Sequence, residues 1–149
     1  MTTKMSREER EAFLAGVHVG VISISEKGRG PLTVPVWYAY EPGGDVSIVT
    51  ERSSRKMQLI EEGRRVSLCA QCEKPPYKYV SIEGPVVAIE PSDVERHERP
   101  LARRYLGQAG GDRYIAFGSD SRDASDMVRV RIRPERWLTV DYAKDNIGL

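Results

Sequence analysis

The stretch "VTERSSRKMQLIEEG", Val49–Gly63, joins two β-branched runs, "DVSIVT" before it and "RRVSLCAQC" after it. A strand ends there and a helix begins, and the junction gathers Thr50, Ser53, Ser54, Arg55 and Lys56. One seryl hydroxyl is accounted for as the helix N-cap. The cations are not. A helix N-terminus already carries partial positive charge and unpaired N–H groups, so Arg55 and Lys56 stand where acids are preferred. Backbone donors, hydroxyl donors and two cations in one place suit a phosphate. The plain alternative is a capped helix with two solvated cations. Gly63, a natural C′ residue, predicts where this helix stops.

Outward from this junction the chain reads mostly as strand. Ser6, with Glu9 three residues on, forms a capping box for a first helix ending near Gly16. "VHVGVISIS" predicts the first strand, "LTVPVWYAYE" the second and "VSIVT" the third, with "EPGGD" as a hairpin-type connection. "RVSLCAQC" and "YVSIEGPVVAIE" supply two more, and "MVRVRIRP" and "RWLTVDYA" close the chain. Ser92 and Glu95 predict a second capping box, with Pro100 breaking the helix into short pieces before Gly107. Residues 107–126 are glycine- and aspartate-rich and read as a partly ordered loop around "RYIAF". The expected fold is mainly β (α+β): a six- or seven-stranded antiparallel barrel with a few short helices, one domain over residues 1–149.

Charge and composition narrow the function. Among 149 residues, 23 basic side chains balance 22 acids, for a net charge of +1, so no footprint for nucleic acid or an anionic membrane is present. No apolar stretch approaches a membrane span and "MTTKMSREEREAFL" carries no signal-peptide core, so a cytoplasmic protein is expected. Cys69 and Cys72 form a C-x-x-C, but on a strand residues three apart face opposite ways, and no second cysteine pair exists. Two unpaired thiols and no metal site are expected. Arg129, Arg131 and Arg133 alternate onto one strand face, and "HERPLARRYLG" places basic residues on a helix; both read as solvated surfaces.

"VTERSSRKMQLI" resembles the cofactor-phosphate segment of the pyridoxamine 5′-phosphate oxidase-like split-barrel superfamily, on Thr50, Ser54, Arg55 and Lys56. The order of helices and strands is also similar over most of the chain. The resemblance implies a split β-barrel binding a flavin-type cofactor. It places the backbone of the second strand along the ring edge, through Val34, Pro35, Val36 and Trp37, with Trp137 near the cofactor. Pro35 lacks an N–H and on its own reads as a sheet edge or bulge. Family oxidases carry basic residues in that strand and an arginine–histidine motif near the C-terminus. Here the strand reads "TVPVWYA" and the tail "TVDYAKDNIGL", which puts pyridoxamine phosphate oxidation in doubt. "PPYKYVSIEGPVVAI" is more similar to an actinobacterial branch of flavin and deazaflavin (coenzyme F-420) oxidoreductases, in which a basic residue and an aromatic reach the cofactor across a dimer interface. The matching residues are Lys78 and Tyr79.

The resemblance therefore implies a homodimer with the cofactor, F-420 or alternatively FMN, held between subunits. The implied activity is hydride transfer from reduced deazaflavin to an electrophilic small-molecule acceptor such as an enone, quinone or tetrapyrrole. Tyr38 or Tyr79 are the candidate proton sources. The alternatives are an FMN-dependent oxidoreductase or oxidase of the same fold, and a non-catalytic carrier of flavin, deazaflavin or haem.

Overall fold

Ser6 opens α1 (Arg7–Ala15) through the expected capping box: its hydroxyl accepts from the Glu9 N–H at 3.1 Å and its own N–H donates to Glu9 at 2.9 Å. The computed structural model describes residues 2–121 and 126–145. Seven strands follow: β1 (Gly20–Ile24), β2 (Leu32–Val36), β3 (Val46–Glu51), β4 (Arg65–Cys72), β5 (Lys78–Pro91), β6 (Met127–Ile132) and β7 (Arg136–Asp141). All pairings are antiparallel, in the order β2-β1-β4-β5-β6-β3, with β7 also on β5. The sheet curls into a split barrel, as the strand pattern predicts.

The split is made at one strand. β5 is 14 residues long and keeps β4 along one edge. Its other edge pairs with β7 over Lys78–Glu83 and with β6 from Val86 onward. The β6–β7 connection crosses the strand at Gly84, where a Cβ would meet the Arg133 carbonyl oxygen at 1.7 Å. Only glycine fits there. At the far side the chain leaves β2 and returns past β3, where Ala39 and Ser47 exchange two backbone hydrogen bonds of 2.9 Å. Inward-facing Ile22, Ile24, Leu68, Val80, Ile82, Val128, Val130 and Ile132 fill the interior together with Leu14 of α1.

Several expected boundaries differ. β1 starts at Gly20, not Val17, and β2 ends at Val36, not Glu41. The next donor, the Tyr38 N–H, goes to the Tyr105 hydroxyl at 3.0 Å and so leaves the ladder. α2 is only Arg55–Leu59. It unwinds because Ile60 must turn extended to reach the core, where it is 6% exposed. Gly63 closes the following turn instead, with its N–H on Val86. Asp93, not Ser92, caps the next element, accepting from the Arg96 N–H at 2.8 Å.

The largest correction concerns residues 107–126. A π-helical turn (Val94–Glu98) leads into α3 (Arg99–Ser121), so the expected loop is helix as far as Ser121; residues 122–125 lie outside the described residues. Pro100 sits in the first turn, where its missing N–H costs nothing. The chain breaks at Gly107, with φ 77° and ψ 172°. The second half then folds back against the first, with Gly111 so close that a Cβ would lie 2.6 Å from the Arg103 nitrogen. Asp112 fastens the halves, accepting from Arg99 at 2.8 Å and Arg103 at 2.9 Å.

Candidate functional site

At one end of the β5-β6-β3 sheet the chain leaves β3 into α2 and leaves β5 into the π-helical turn. The α3 hairpin lies over that end, and between them is a cleft of about 400 Å³. Its floor and sides are Val49, Thr50, Glu51, Ser54 and Lys56 from β3–α2, Pro35, Val36 and Trp37 from β2, and Met127 of β6. Glu98, Leu101, Ala102, Tyr114 and Ile115 complete it.

The polar corner is the junction that opened the sequence. Thr50 is 8% exposed and donates to the Ser54 hydroxyl at 3.3 Å. The Ser54 oxygen also accepts from the Met57 N–H at 3.4 Å, as an N-cap. With both contacts accepted, the Ser54 hydroxyl keeps its own proton to donate. Lys56 lines the cleft, and its ammonium makes no hydrogen bond or ion pair among the described residues. Arg55, expected beside it, is instead paired with Glu26 and lies 3.3 Å from Gln58. Ser53 points away, with its hydroxyl 3.3 Å from Asp126. With α2 reduced to five residues, its dipole is small, and Lys56 and the two hydroxyls are the groups this corner offers an anion.

The opposite wall is aromatic. Trp37 stacks on Tyr105 with centroids 5.0 Å apart and planes 6° off parallel, and Tyr114 tilts against it at 5.3 Å. Tyr105 is locked in turn by its hydroxyl, which accepts from the Tyr38 N–H and lies 2.7 Å from the His18 carbonyl. Next to this cleft, sharing Val49 and Leu101, is a second one of about 290 Å³ edged by Arg96, His97, Arg104 and Arg129. Arg104 was expected on a solvated helix face. Its guanidinium donates to the Ala15 and Gly16 carbonyls at the end of α1, at 3.0 and 2.6 Å. Arg129 and Arg131 are likewise half-buried and paired, with Glu90 at 2.9 Å and Asp45 at 3.1 Å. Arg133 meets Glu135 at 3.1 Å.

The sequence profile of the pyridoxamine 5′-phosphate oxidase family matches residues 6–141. The chain belongs to this family. No protein of curated function matches its sequence. Among solved structures, a conserved hypothetical protein from Mycobacterium tuberculosis superposes with a TM-score of 0.77 at 21% identity, over 99% of this chain and 91% of the other. A protein named F420 reductase gives 0.67 at 19% identity, over 86% and 94%. An FAD-binding protein from Mesorhizobium loti gives 0.62 at 18%, over 91% and 94%. At these identities the likeness is one of fold.

Within this family fold the predicted site residues divide. Pro35, Val36, Trp37, Thr50, Ser54 and Lys56 converge on the cleft. Val34, Ser53, Arg55, Lys78, Tyr79 and Trp137 do not line it. Trp137 lies edge-on to Tyr40 at 6.3 Å beneath the Arg10 guanidinium at 4.5 Å. Lys78 lies 3.9 Å from Asp141. Tyr79 alternates with inward Val80 and Ile82 and so stands on the outer sheet face. Tyr38 is a core residue rather than a proton source. It is fully buried and its hydroxyl donates to the Leu14 carbonyl at 2.7 Å. Burial raises its pKa well above the ordinary tyrosine value, with Tyr105 adding to the shift. Sequence reasoning missed the contribution of the π-helical turn, Glu98, and of α3, Leu101, Ala102, Tyr114 and Ile115. The usable signal was the aromatic and aliphatic spacing of "RYIAF", masked by the glycines before it. Cys69 and Cys72 are free thiols, and the described residues hold no cluster of three potential metal ligands. No helix among them is long and apolar enough to cross a membrane.

Proposed function

We propose that the cleft binds a flavin-type cofactor by its phosphate and that the protein is an oxidoreductase, with the deazaflavin F-420 as cofactor. The observation that carries this reading is Lys56, an ammonium without a partner among the described residues, lining one cleft with Thr50, Ser54 and the aromatic Trp37 and Tyr114. An unpaired lysine and a spare hydroxyl donor fit a phosphate, and the Pro35–Trp37 segment fits the edge of a planar ring. The structural likeness to an F420 reductase and to an FAD-binding protein supports the same choice. Bound there, reduced deazaflavin supplies a hydride for an enone, quinone or tetrapyrrole acceptor. The chain's own part is to hold ring and acceptor in register and to exclude water beneath α3.

The adjoining cleft supports F-420 over FMN. A ligand that continues past its phosphate into a carboxylate-bearing tail finds Arg96 along it, exposed and no closer than 3.9 Å to Asp93, beside Arg104 and Arg129, which are already engaged by carbonyls and by Glu90. The cations the sequence offered for that tail are taken: Arg64 donates to Ser25, Arg65 pairs with Glu83 and Glu135, and Lys78 is near Asp141. Their engagement favours FMN as the second reading.

The proposal includes a homodimer. Across five strands the register aligns Pro35, Val21, Cys69, Ser81 and Leu138 in one outward row. Leu138 is 62% exposed, and Pro35 also belongs to the cleft. A second copy on this face covers the apolar row and brings Tyr79 beside the neighbouring cleft as an aromatic contact and proton source.

The test is the spectrum and mass of the cofactor retained on purification from a deazaflavin-producing host. Turnover of the reduced cofactor with a panel of enones, quinones and tetrapyrroles follows. Retained F-420 that is consumed by an acceptor is expected. Retained FMN reoxidised by oxygen points to an oxidase, and binding without turnover to a carrier.

A further inference from the structure

Glu98 lines the cleft and is given no part in the reading above. It comes from the π-helical turn after β5 and lines the same cleft as Lys56, among Leu101, Ala102, Ile115 and Met127. One of its carboxylate oxygens, Oε2, is shut off from water and has no hydrogen-bond partner. No cation lies within ion-pairing distance of it among the described residues. A carboxylate oxygen stripped of water and left without a donor is costly, and such atoms are few in native proteins. The neighbouring acids are all supplied: Glu95 by Arg99, Glu90 by Arg129, Asp112 by Arg99 and Arg103.

Placement suggests what supplies Glu98. β3 and β5 both flank β6, so α2 and the π-helical turn rise from the same sheet end two strand spacings apart, roughly 10 Å. Lys56 and Glu98 thus present opposite charges to one apolar cleft at a separation that a ligand spans and a salt bridge does not. A ligand satisfying both has an anion for Lys56 and an N–H or O–H donor for Glu98. The terminal torsion of a glutamate is broad and two-fold, so either oxygen can be turned to the cleft.

Resting on the flavin reading above, we infer that Glu98 accepts a hydrogen bond from the imide N–H on the pyrimidine edge of the ring, and so sets which way round the ring lies. That imide N–H is the one ring N–H common to oxidised FMN and oxidised deazaflavin. It is also the ring group farthest in character from the apolar surfaces of Leu101 and Ile115. Glu98 is therefore a positioning and specificity residue, selecting rings with an imide donor.

The test titrates the wild-type chain, Glu98→Ala and Glu98→Gln with FMN and with FMN methylated at the imide nitrogen, following fluorescence. In the wild type, methylation is expected to weaken binding about tenfold or more, the range for a hydrogen bond to a charged group. Glu98→Ala loses about the same factor for FMN and shows no further loss on methylation. Glu98→Gln keeps an acceptor and so keeps part of the methylation penalty, which preserves the test if the alanine variant does not fold. Wild-type binding that is indifferent to methylation overturns the inference while leaving the flavin reading intact. An equal methylation penalty in Glu98→Ala does the same. Absence of FMN and F-420 binding by the wild type removes both.

Discussion

Gly84 and His18 show how much rests on single residues away from the cleft. Gly84→Ala forces a methyl into the Arg133 carbonyl, where β5 passes from β7 to β6. Backbone cannot yield there without opening the barrel, so a loss of about 3 kcal/mol or more is expected in chemical denaturation. His18 stacks on Phe13 at 4.3 Å and meets the Phe13 carbonyl at 3.0 Å. Burial, and then the charge of Arg104, hold its pKa below the ordinary 6.5 against the pull of that carbonyl. The fold thus favours the neutral ring. That contribution is whole above pH 6.5 and is lost as pH falls toward the folded-state value. His97 shifts in the same direction, also chiefly through burial. Glu9, held at about 2 by Lys144 and the Ser6 N–H, stays ionised meanwhile. Denaturant midpoints should therefore fall between about pH 7.5 and about 5.5, and His18→Phe, which keeps the stack, should flatten part of that slope.

At the level of elements, the strands were legible and the lid was not. Alternation set β4, β6 and β7 almost to the residue, because each has one face in the core and the period of two survives in the sequence. Pro35 marked an edge or a bulge, and β2 is an edge strand. Thr50, Ser54 and Lys56 announced the polar corner through their chemistry. Arg55 announced the same but pairs with Glu26, 29 residues away in sequence and visible only in the fold, and does not line the cleft. The α3 hairpin was hidden because its glycines serve close packing of helix on helix, Gly111 on Arg103, which local propensity reads as loop. The hairpin rests on Asp112 bridging Arg99 and Arg103. Asp112→Asn should leave the barrel's hydrogen-exchange protection unchanged and speed exchange within Arg99–Ser121, with weaker cofactor binding. Unchanged exchange in α3 would show that Gly111 packing alone holds the lid.

Across the whole molecule, the outward row of β2, β1, β4, β5 and β7 ends at the cleft, at Pro35. Leu138→Asp puts a charge on the most exposed apolar member of that row, at its β7 end, and exposes no core atom. Light scattering should then report a monomer with an unchanged far-UV spectrum, and cofactor affinity should fall at least about tenfold if the partner completes the site. A monomeric wild type that binds cofactor at full strength would end the shared-site proposal. The proposed phosphate corner, on which all of this depends, is tested by titrating the wild type and Lys56→Ala with F-420 and FMN, alongside their denaturation curves. Losing one charge-assisted phosphate contact costs about 1.5–3 kcal/mol, so Lys56→Ala should bind roughly 10- to 150-fold more weakly at unchanged stability. Equal affinity of the two proteins would contradict the assignment of this cleft to a cofactor phosphate.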